Sequence, residues 1–162
     1  MTWEEVLADP LLQDLPYKIE LNQWGNIEMG PARNRHGAFQ ILIGHFLQLH
    51  KPDGVTISEC AIETAENVKV PDVAWISIAR YDTATDPDLV YTDTAPEVCV
   101  EIVSPSNSLT EQMHKGELYL RAGAVEFWLC NELGDLRFFD ASGPLESSRL
   151  CPDFPVKIKF RR

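Results

Sequence analysis

The most constraining feature of this 162-residue chain is an apolar segment that contains a single carboxylate. Residues 98–103 read Val-Cys-Val-Glu-Ile-Val, and the acid is Glu101. The valines and the isoleucine favour a strand that is packed on both faces. An ionised carboxylate in such a strand is costly to desolvate unless it pairs with a cation or binds a metal. A salt bridge is the simpler explanation of Glu101, and a metal site is the alternative.

Composition limits the class of protein. The hydrophobic share of 44% and the charged share of 24% are typical of a globular protein. The length predicts one domain that spans residues 1–162. A net charge of −11 argues against a broad basic surface for nucleic acid, although it leaves room for a local basic groove. The most apolar segment, residues 39–49, is too short and too polar to cross a bilayer, so we expect no membrane partner.

The four cysteines are consistent with a reducing compartment, and their spacing argues against a zinc site. They are Cys60, Cys99, Cys130 and Cys151, and none has a Cys-x-x-Cys neighbour. The first residues, Met-Thr-Trp-Glu-Glu, lack the basic and apolar regions of a signal peptide. We therefore expect a cytoplasmic protein.

Hydrophobic periodicity and turn residues predict alternating helices and strands. The predicted elements are a helix over 2–15, a hairpin over 17–29, a helix over 32–50, strands over 55–62, 72–78 and 98–103, a helix over 108–122, and strands over 125–130, 136–139 and 154–160. A polar loop over 80–96 and a Ser-Pro-Ser turn at 104–106 complete the pattern. This order predicts an α/β (α+β) fold with a central mixed sheet, flanking helices and an N-terminal β-hairpin.

The helix after Glu101 has a clear beginning. Ser108 and Glu111 form a capping box, in which each side chain can bond the backbone of the other. The apolar spacing predicts that one stripe of this helix faces the sheet, formed by Leu109, Met113, Gly116 and Leu120. Lys115 falls on the flank beside that stripe.

Asp72 and Glu101 form a candidate acid pair. Asp72 opens one predicted central strand after a proline, and Glu101 lies within another. If the strands are neighbours, both carboxylates can bind one Mg²⁺ or Mn²⁺, and the backbone carbonyl of Ile102 can add a ligand. Lys115 follows about two helical turns after the capping box and can reach back over the strand end. Each residue alone also has an ordinary explanation, as a turn residue, a salt bridge or a solvated lysine.

Five segments together resemble a known family over roughly residues 17–140. They are His36-Gly37, Pro71-Asp72-Val73-Ala74, the segment from Glu101 to Ser106, Lys115 with Tyr119, and Gly123 followed by Glu126 to Leu129. In order and spacing they resemble the Uma-two family, a restriction-endonuclease-like family of the PD-(D/E)xK nuclease superfamily.

The resemblance implies a restriction-endonuclease-like core and a magnesium-dependent nuclease site. Asp72 and Glu101 would be the acidic pair. The superfamily lysine normally stands two residues after the second acid, where this chain has Val103. The resemblance assigns that role to Lys115 on the following helix.

Three further residues are candidates for the same site. Glu59 is a candidate additional metal ligand, with a surface position as the alternative. His36 and Gln40 are candidates for lining the cleft, and a purely structural role is the alternative for His36.

Three functions are compatible with this pattern. The first is a magnesium-dependent endonuclease that hydrolyses DNA phosphodiester bonds. The second is a catalytically inactive or regulatory module that binds nucleic acid or protein on the same fold. The third is a purely structural dimer-forming domain. Because small domains that cut duplex DNA often work as symmetric pairs, we expect a homodimer.

Overall fold

The structure, a computed structural model, describes residues 1–15, 17–31, 33–83, 92, 94–104 and 108–160. Its helices are α1 (Trp3–Ala8), α2 (Asn34–His50), α3 (Ile78–Thr83) and α4 (Leu109–Arg121), with a short 3₁₀ helix at Pro10–Leu12. Its strands are β1 (Tyr17–Leu21), β2 (Ile27–Pro31), β3 (Gly54–Ser58), β4 (Ile62–Thr64), β5 (Asn67–Lys69), β6 (Val73–Ser77), β7 (Val98–Ile102), β8 (Glu126–Cys130), β9 (Leu136–Asp140) and β10 (Gly143–Leu145).

Six of the described strands form a central mixed sheet in the order β10–β9–β8–β7–β6–β3. Strands β7 and β8 are parallel and are joined through α4, whereas the other neighbouring pairs are antiparallel. Strands β1 and β2 form a separate hairpin, and β4 and β5 form a second small sheet. The predicted mixed sheet, flanking helices and N-terminal hairpin are confirmed.

The two faces of the sheet bury different clusters. On one face, α2 packs Phe39, Ile43 and Leu47 against residues that include Val100 and Trp128. On the other face, α4 contributes Tyr119 to a cluster whose further members include Cys99, Phe127 and Leu129. Because side chains alternate along a strand, Val100 faces α2 while Cys99 and Glu101 face α4. The sheet therefore directs Glu101 towards the helix that follows it.

The capping box predicted at the start of α4 is confirmed. The Ser108 side chain accepts from the Glu111 amide at 3.1 Å, and the Glu111 side chain returns to the Ser108 amide at 3.3 Å. Thr2 and Glu5 form the same reciprocal box at the start of α1. The predicted first helix is too long, because α1 ends at Ala8 and the 3₁₀ helix follows.

Two predicted strands are wrong in extent. The strand over 55–62 ends at Ser58, because Glu59 adopts a left-handed backbone conformation with φ 55° that bends the chain out of the ladder. The predicted last strand over 154–160 forms only an isolated bridge, between Asp135 and Lys157. Phe154 and Ile158 are instead anchored in the core by their side chains.

The buried face of α4 also differs from the prediction. Leu109 is exposed, and the buried residues of the helix are Gln112, Lys115, Gly116, Leu118 and Tyr119. Gly116 does face the sheet, because a Cβ there would overlap the ring of Phe127. The helix is rotated so that the flank bearing Lys115, rather than the apolar stripe alone, faces the interior.

Two further predictions concern loops. Ile78–Thr83 is helical, so a helix begins where the end of a strand and the start of a polar loop were predicted. The remainder of that loop, residues 84–91 and 93, and the turn residues 105–106 lie outside the described residues. No helix in the described part of the chain is both long enough and apolar enough to span a membrane.

Candidate active site

The two predicted acids lie at the same end of the central sheet. Asp72 immediately precedes β6, Glu101 is the fourth residue of β7, and the two strands are paired. The Asp72 amide donates to the Val100 carbonyl at 3.0 Å, and the Ile102 amide donates to Asp72 Oδ2 at 2.8 Å. Both acids are almost fully buried, with 3% and 1% of their surface exposed. The sheet therefore brings together two carboxylates that are 29 positions apart in the sequence.

Two lysines contact this acid pair. Lys115 Nζ lies 2.8 Å from Glu101 Oε1, as expected for a lysine reaching back from α4. Lys18, from the hairpin strand β1, donates to Asp72 Oδ1 at 2.8 Å. The same Lys18 ammonium lies 3.9 Å from Glu101 Oε2. The Lys18 ammonium thus bridges the two acids, whereas the Lys115 ammonium contacts one of them, Glu101.

Glu20 is a third acid in the same group. Its Oε1 accepts from Lys115 Nζ at 2.6 Å and from the Val70 amide at 3.1 Å, and it lies 3.7 Å from Lys18 Nζ. We call Glu20, Asp72, Glu101, Lys18 and Lys115 the acid–lysine cluster. It holds three carboxylates and two ammonium groups, with the hairpin closing over the end of the sheet.

Three further side chains, Tyr119, His36 and Gln40, orient the two central acids. The Tyr119 hydroxyl donates to Glu101 Oε1 at 2.6 Å from one helical turn beyond Lys115. On the α2 side, His36 Nε2 lies 3.2 Å from Asp72 Oδ1, and the Gln40 side-chain amide donates to the Asp72 carbonyl at 2.8 Å. His36 and Gln40 are four residues apart on one helix face, so both reach the same acid.

The structure brings most of the candidate residues together. Lys115 contacts Glu101 directly, Lys18 joins Asp72 to Glu101, and His36 and Gln40 both contact Asp72. Ile102 contacts Asp72 through its amide, so a role for its carbonyl stays a prediction. Glu59 is exposed in the bend after β3 and is absent from the described contacts of the acid–lysine cluster.

Sequence reasoning missed Lys18 and Glu20. The segment Tyr-Lys-Ile-Glu-Leu alternates, which places Lys18 and Glu20 on one face of β1. That alternation is usually read as the solvated face of a hairpin. The signal that could have found them is the pairing of two opposite charges on one face of a hairpin that precedes the acid-bearing strands.

The charges in the cluster shift one another's titration. Burial on its own raises the pKa of Asp72, but the Lys18 ammonium and the His36 hydrogen bond outweigh it and hold that pKa below its ordinary value. Burial raises the pKa of Glu101 despite the opposing charges of Lys115 and Lys18. Burial on its own would lower the pKa of Lys18, yet the charges of Glu101 and Asp72 raise it above its ordinary value. Glu101 is therefore the central acid whose negative charge the protein stabilises least.

A cavity of about 210 Å³ opens beside the cluster. It is lined by Arg33, Arg35, His36, Phe39, Ile102, Val103, Ser104 and Glu132. His36 lies in its wall and also contacts Asp72, so the cavity adjoins Asp72. Both arginines are exposed, so the wall of this cavity carries positive charge in a chain whose net charge is −11.

The donor set suits a hard divalent cation that is only partly enclosed by protein. Among the described residues, no group of three or more His, Cys, Asp or Glu side chains is arranged to enclose a metal by itself. Magnesium usually takes one or two protein carboxylates and completes its shell with water and substrate phosphate. Asp72 and Glu101 match that requirement, since a single ammonium already contacts both of them.

Comparisons with known proteins agree with this fold. Residues 3–140 match the family described as "Uma2: Putative restriction endonuclease", so the chain belongs to that family of nuclease-like proteins. No curated protein matches the chain in sequence.

Two solved structures resemble this chain to different degrees. One is a "putative nuclease belonging to DUF820" from Anabaena variabilis, with 19% identity and a TM-score of 0.67, covering 86% of this chain and 79% of that one. A second is a DrdV–DNA complex, with 12% identity and a TM-score of 0.45, covering 68% of this chain and 9% of that one. The Anabaena structure supports the fold, and the resemblance to DrdV is too distant for further use.

Proposed function

We propose that this chain is a magnesium- or manganese-dependent endonuclease that hydrolyses phosphodiester bonds in DNA. The observation that carries the proposal is the pair of buried carboxylates, Asp72 and Glu101, bridged by one ammonium at the end of two paired strands. Membership of the Uma2 family supports the nuclease chemistry. The cavity that adjoins Asp72 provides the space in which a substrate phosphate can approach the acids.

In this proposal Asp72 and Glu101 hold the metal. A bound Mg²⁺ would polarise the phosphate and lower the pKa of a water molecule. The Ile102 amide and His36 orient Asp72 through its two carboxylate oxygens, and Tyr119 orients Glu101. These contacts fix both acids before substrate arrives, which reduces the reorganisation needed during the reaction.

Lys115 supplies fixed positive charge on the α4 side of the site. Its ammonium is held between Glu20 and Glu101 at 2.6 and 2.8 Å, so its position is set by two carboxylates. The charges of these acids keep its pKa above the ordinary value despite burial, so it remains a cation at neutral pH. A cation in this position can stabilise the negative charge that develops on a phosphate during cleavage. This is the role that the lysine after the second acid would otherwise fill.

Arg33 and Arg35 provide local positive charge for binding a polyanion on an otherwise acidic protein. They are exposed on the wall of the cavity, and Arg35 also lies 3.5 Å from the Glu132 carbonyl. With a net charge of −11, the chain needs a local source of positive charge to hold a nucleic acid backbone. We propose that flanking phosphates contact these two arginines.

The proposal is tested by DNA cleavage with Mg²⁺ or Mn²⁺, comparing the wild type with Asp72→Asn and Glu101→Gln. We expect each substitution to reduce the rate on the order of 100-fold or more, and removal of the metal with a chelator to abolish cleavage. Glu117→Gln is the control, because Glu117 is an exposed acid on α4. Equal cleavage by all four proteins would remove Asp72 and Glu101 from the mechanism.

A binding module without cleavage is the second candidate function. It is favoured by one observation, which is that Asp72 and Glu101 each form an ion pair with a lysine. DNA binding that is sensitive to Arg33 or Arg35 substitution, combined with no turnover in either metal, would support it. The homodimer and the cytoplasmic location stay predictions.

A further inference from the structure

Lys18 occupies an unusual position in the acid–lysine cluster. Its ammonium lies 2.8 Å from Asp72, 3.7 Å from Glu20 and 3.9 Å from Glu101. Of the lysines that the structure describes, it is the one that contacts both Asp72 and Glu101. It therefore stands where a cation shared by these two acids would stand.

The two lysines are held differently. Lys115 makes two close contacts, to Glu20 and Glu101, and its side chain is 11% exposed. Lys18 makes one close contact, to Asp72, and its side chain is 21% exposed, the largest value in the cluster. The Lys18 ammonium is therefore farther from Glu101 than the Lys115 ammonium is, and its side chain is more exposed to solvent.

The charge count favours exchange of Lys18 for a divalent ion. Three carboxylates and two ammonium groups leave the cluster with one net negative charge. If a divalent cation replaced the Lys18 ammonium, the same cluster would become neutral. An uncompensated buried charge is costly, so this replacement removes an electrostatic penalty.

We propose that Lys18 is a placeholder for the metal: its ammonium bridges Asp72 and Glu101 until a divalent cation binds, and the binding of that cation displaces it towards solvent. This inference rests on the metal-dependent function proposed above. The displaced ammonium then lies at the edge of the site, where it can contact a phosphate of the substrate. Before the cation binds, the same lysine lies between the two buried carboxylates and reduces their mutual repulsion.

The first test measures Mn²⁺ binding by calorimetry for the wild type, Lys18→Met and Lys115→Met. Lys18→Met removes the competitor, so we expect about tenfold tighter Mn²⁺ binding, which corresponds to roughly 1.4 kcal/mol. Lys115→Met is the matched control, because it also deletes one positive charge beside Glu101 but leaves the bridge between the acids intact. We expect it to tighten Mn²⁺ binding less than Lys18→Met does. Unchanged or weaker binding by Lys18→Met would overturn the inference.

The second test follows the displacement directly in the wild-type protein. An amine-reactive acetylating reagent is applied with and without Mn²⁺, and peptides are quantified by mass spectrometry. We expect Mn²⁺ to increase acetylation of Lys18 severalfold and to leave Lys115 unchanged. Equal labelling of Lys18 in both conditions would contradict displacement.

Asp72→Asn separates this inference from the proposed function. If Asp72→Asn binds Mn²⁺ as tightly as the wild type, the metal does not bind at Asp72, and both proposals fail. If Asp72→Asn weakens binding but Lys18→Met does not strengthen it, the metal site stands and only the placeholder role is rejected.

Discussion

Two buried glutamates on neighbouring strands have opposite kinds of partners. Glu101 in β7 and Glu126 in β8 are each 1% exposed. Glu126 accepts from four neutral donors, the Trp128 indole, the Ser148 hydroxyl and the amides of Arg149 and Leu150, at 2.7 to 3.0 Å. Glu101 accepts from Tyr119 and faces the ammonium groups of Lys115 and Lys18.

The difference separates a structural acid from a candidate catalytic one. Glu126 is the first residue of β8, whereas Glu101 lies near the end of the parallel strand β7, so the two acids are at opposite ends of the pair. Glu126 accepts hydrogen bonds from neutral donors, and these bonds fix the segment after β10. The partners of Glu101 include two ammonium groups, one of which, that of Lys18, is displaced by the metal in our proposal. Burial of a carboxylate therefore does not by itself indicate a functional site.

The largest expected effects come from replacing each glutamate by glutamine. Glu101→Gln should reduce cleavage on the order of 100-fold, with a change of less than about 1 kcal/mol in the free energy of unfolding, because the cluster becomes neutral. Glu126→Gln should lower the free energy of unfolding by about 2–4 kcal/mol, because its new NH₂ group must face donors. Cleavage per folded molecule should be unchanged.

Denaturant unfolding and cleavage assays on both variants provide the measurement. The comparison would be broken if Glu126→Gln lost activity while remaining fully folded, or if Glu101→Gln lost stability alone. Either result would mean that partner charge does not distinguish the two acids.

The position of α4 sharpens the comparison, because that helix carries Lys115 and Tyr119, which both contact Glu101. Gly116 lies between Lys115 and Tyr119, and a Cβ at this position would overlap the ring of Phe127. Gly116→Ala should therefore push α4 away from the sheet, lower the free energy of unfolding by about 1–3 kcal/mol and reduce cleavage per folded molecule.

Gly37→Ala is the matched control for Gly116→Ala. Gly37 lies within α2, and a Cβ there would meet no atom within 4 Å. Removing this helical glycine should raise the free energy of unfolding by about 0.5–1 kcal/mol. Thermal unfolding measures both effects. Stabilisation by both alanines would show that α4 does not depend on close contact with Phe127.

The sequence was sufficient to predict the parts of the site that lie on regular helices and strands. The apolar strands around Asp72 and Glu101, the capping box at Ser108 and the helical offset of Lys115 are local patterns with a direct structural meaning. The hairpin and the long helix α2 were predicted for the same reason.

The missed parts depend on contacts that are distant in the sequence. Lys18 and Glu20 are 54 and 95 residues from Asp72 and Lys115, their respective partners, and nothing in the alternation of β1 indicates that the hairpin covers the sheet end. The end of β3 was missed because a left-handed Glu59 has no reliable sequence signature. In the sequence, Glu126 lies in one of the segments that resemble the family, as Glu101 does. Only the neutral donors around Glu126 in the structure show that its role differs.

Removing one hydroxyl donor from each glutamate should have smaller effects than replacing the glutamates themselves. Tyr119→Phe deletes a 2.6 Å hydrogen bond to Glu101, whose Oε1 keeps the Lys115 contact, so the free energy of unfolding should fall by only about 0.5–1.5 kcal/mol. Cleavage should fall by roughly three- to tenfold, because Glu101 loses the group that orients it. Ser148→Ala also deprives the Cys151 amide of its acceptor and should cost about 1–3 kcal/mol without loss of cleavage per folded molecule. A cleavage defect in Ser148→Ala equal to that in Tyr119→Phe would indicate that both act through general stability, since only Tyr119 contacts an acid of the site.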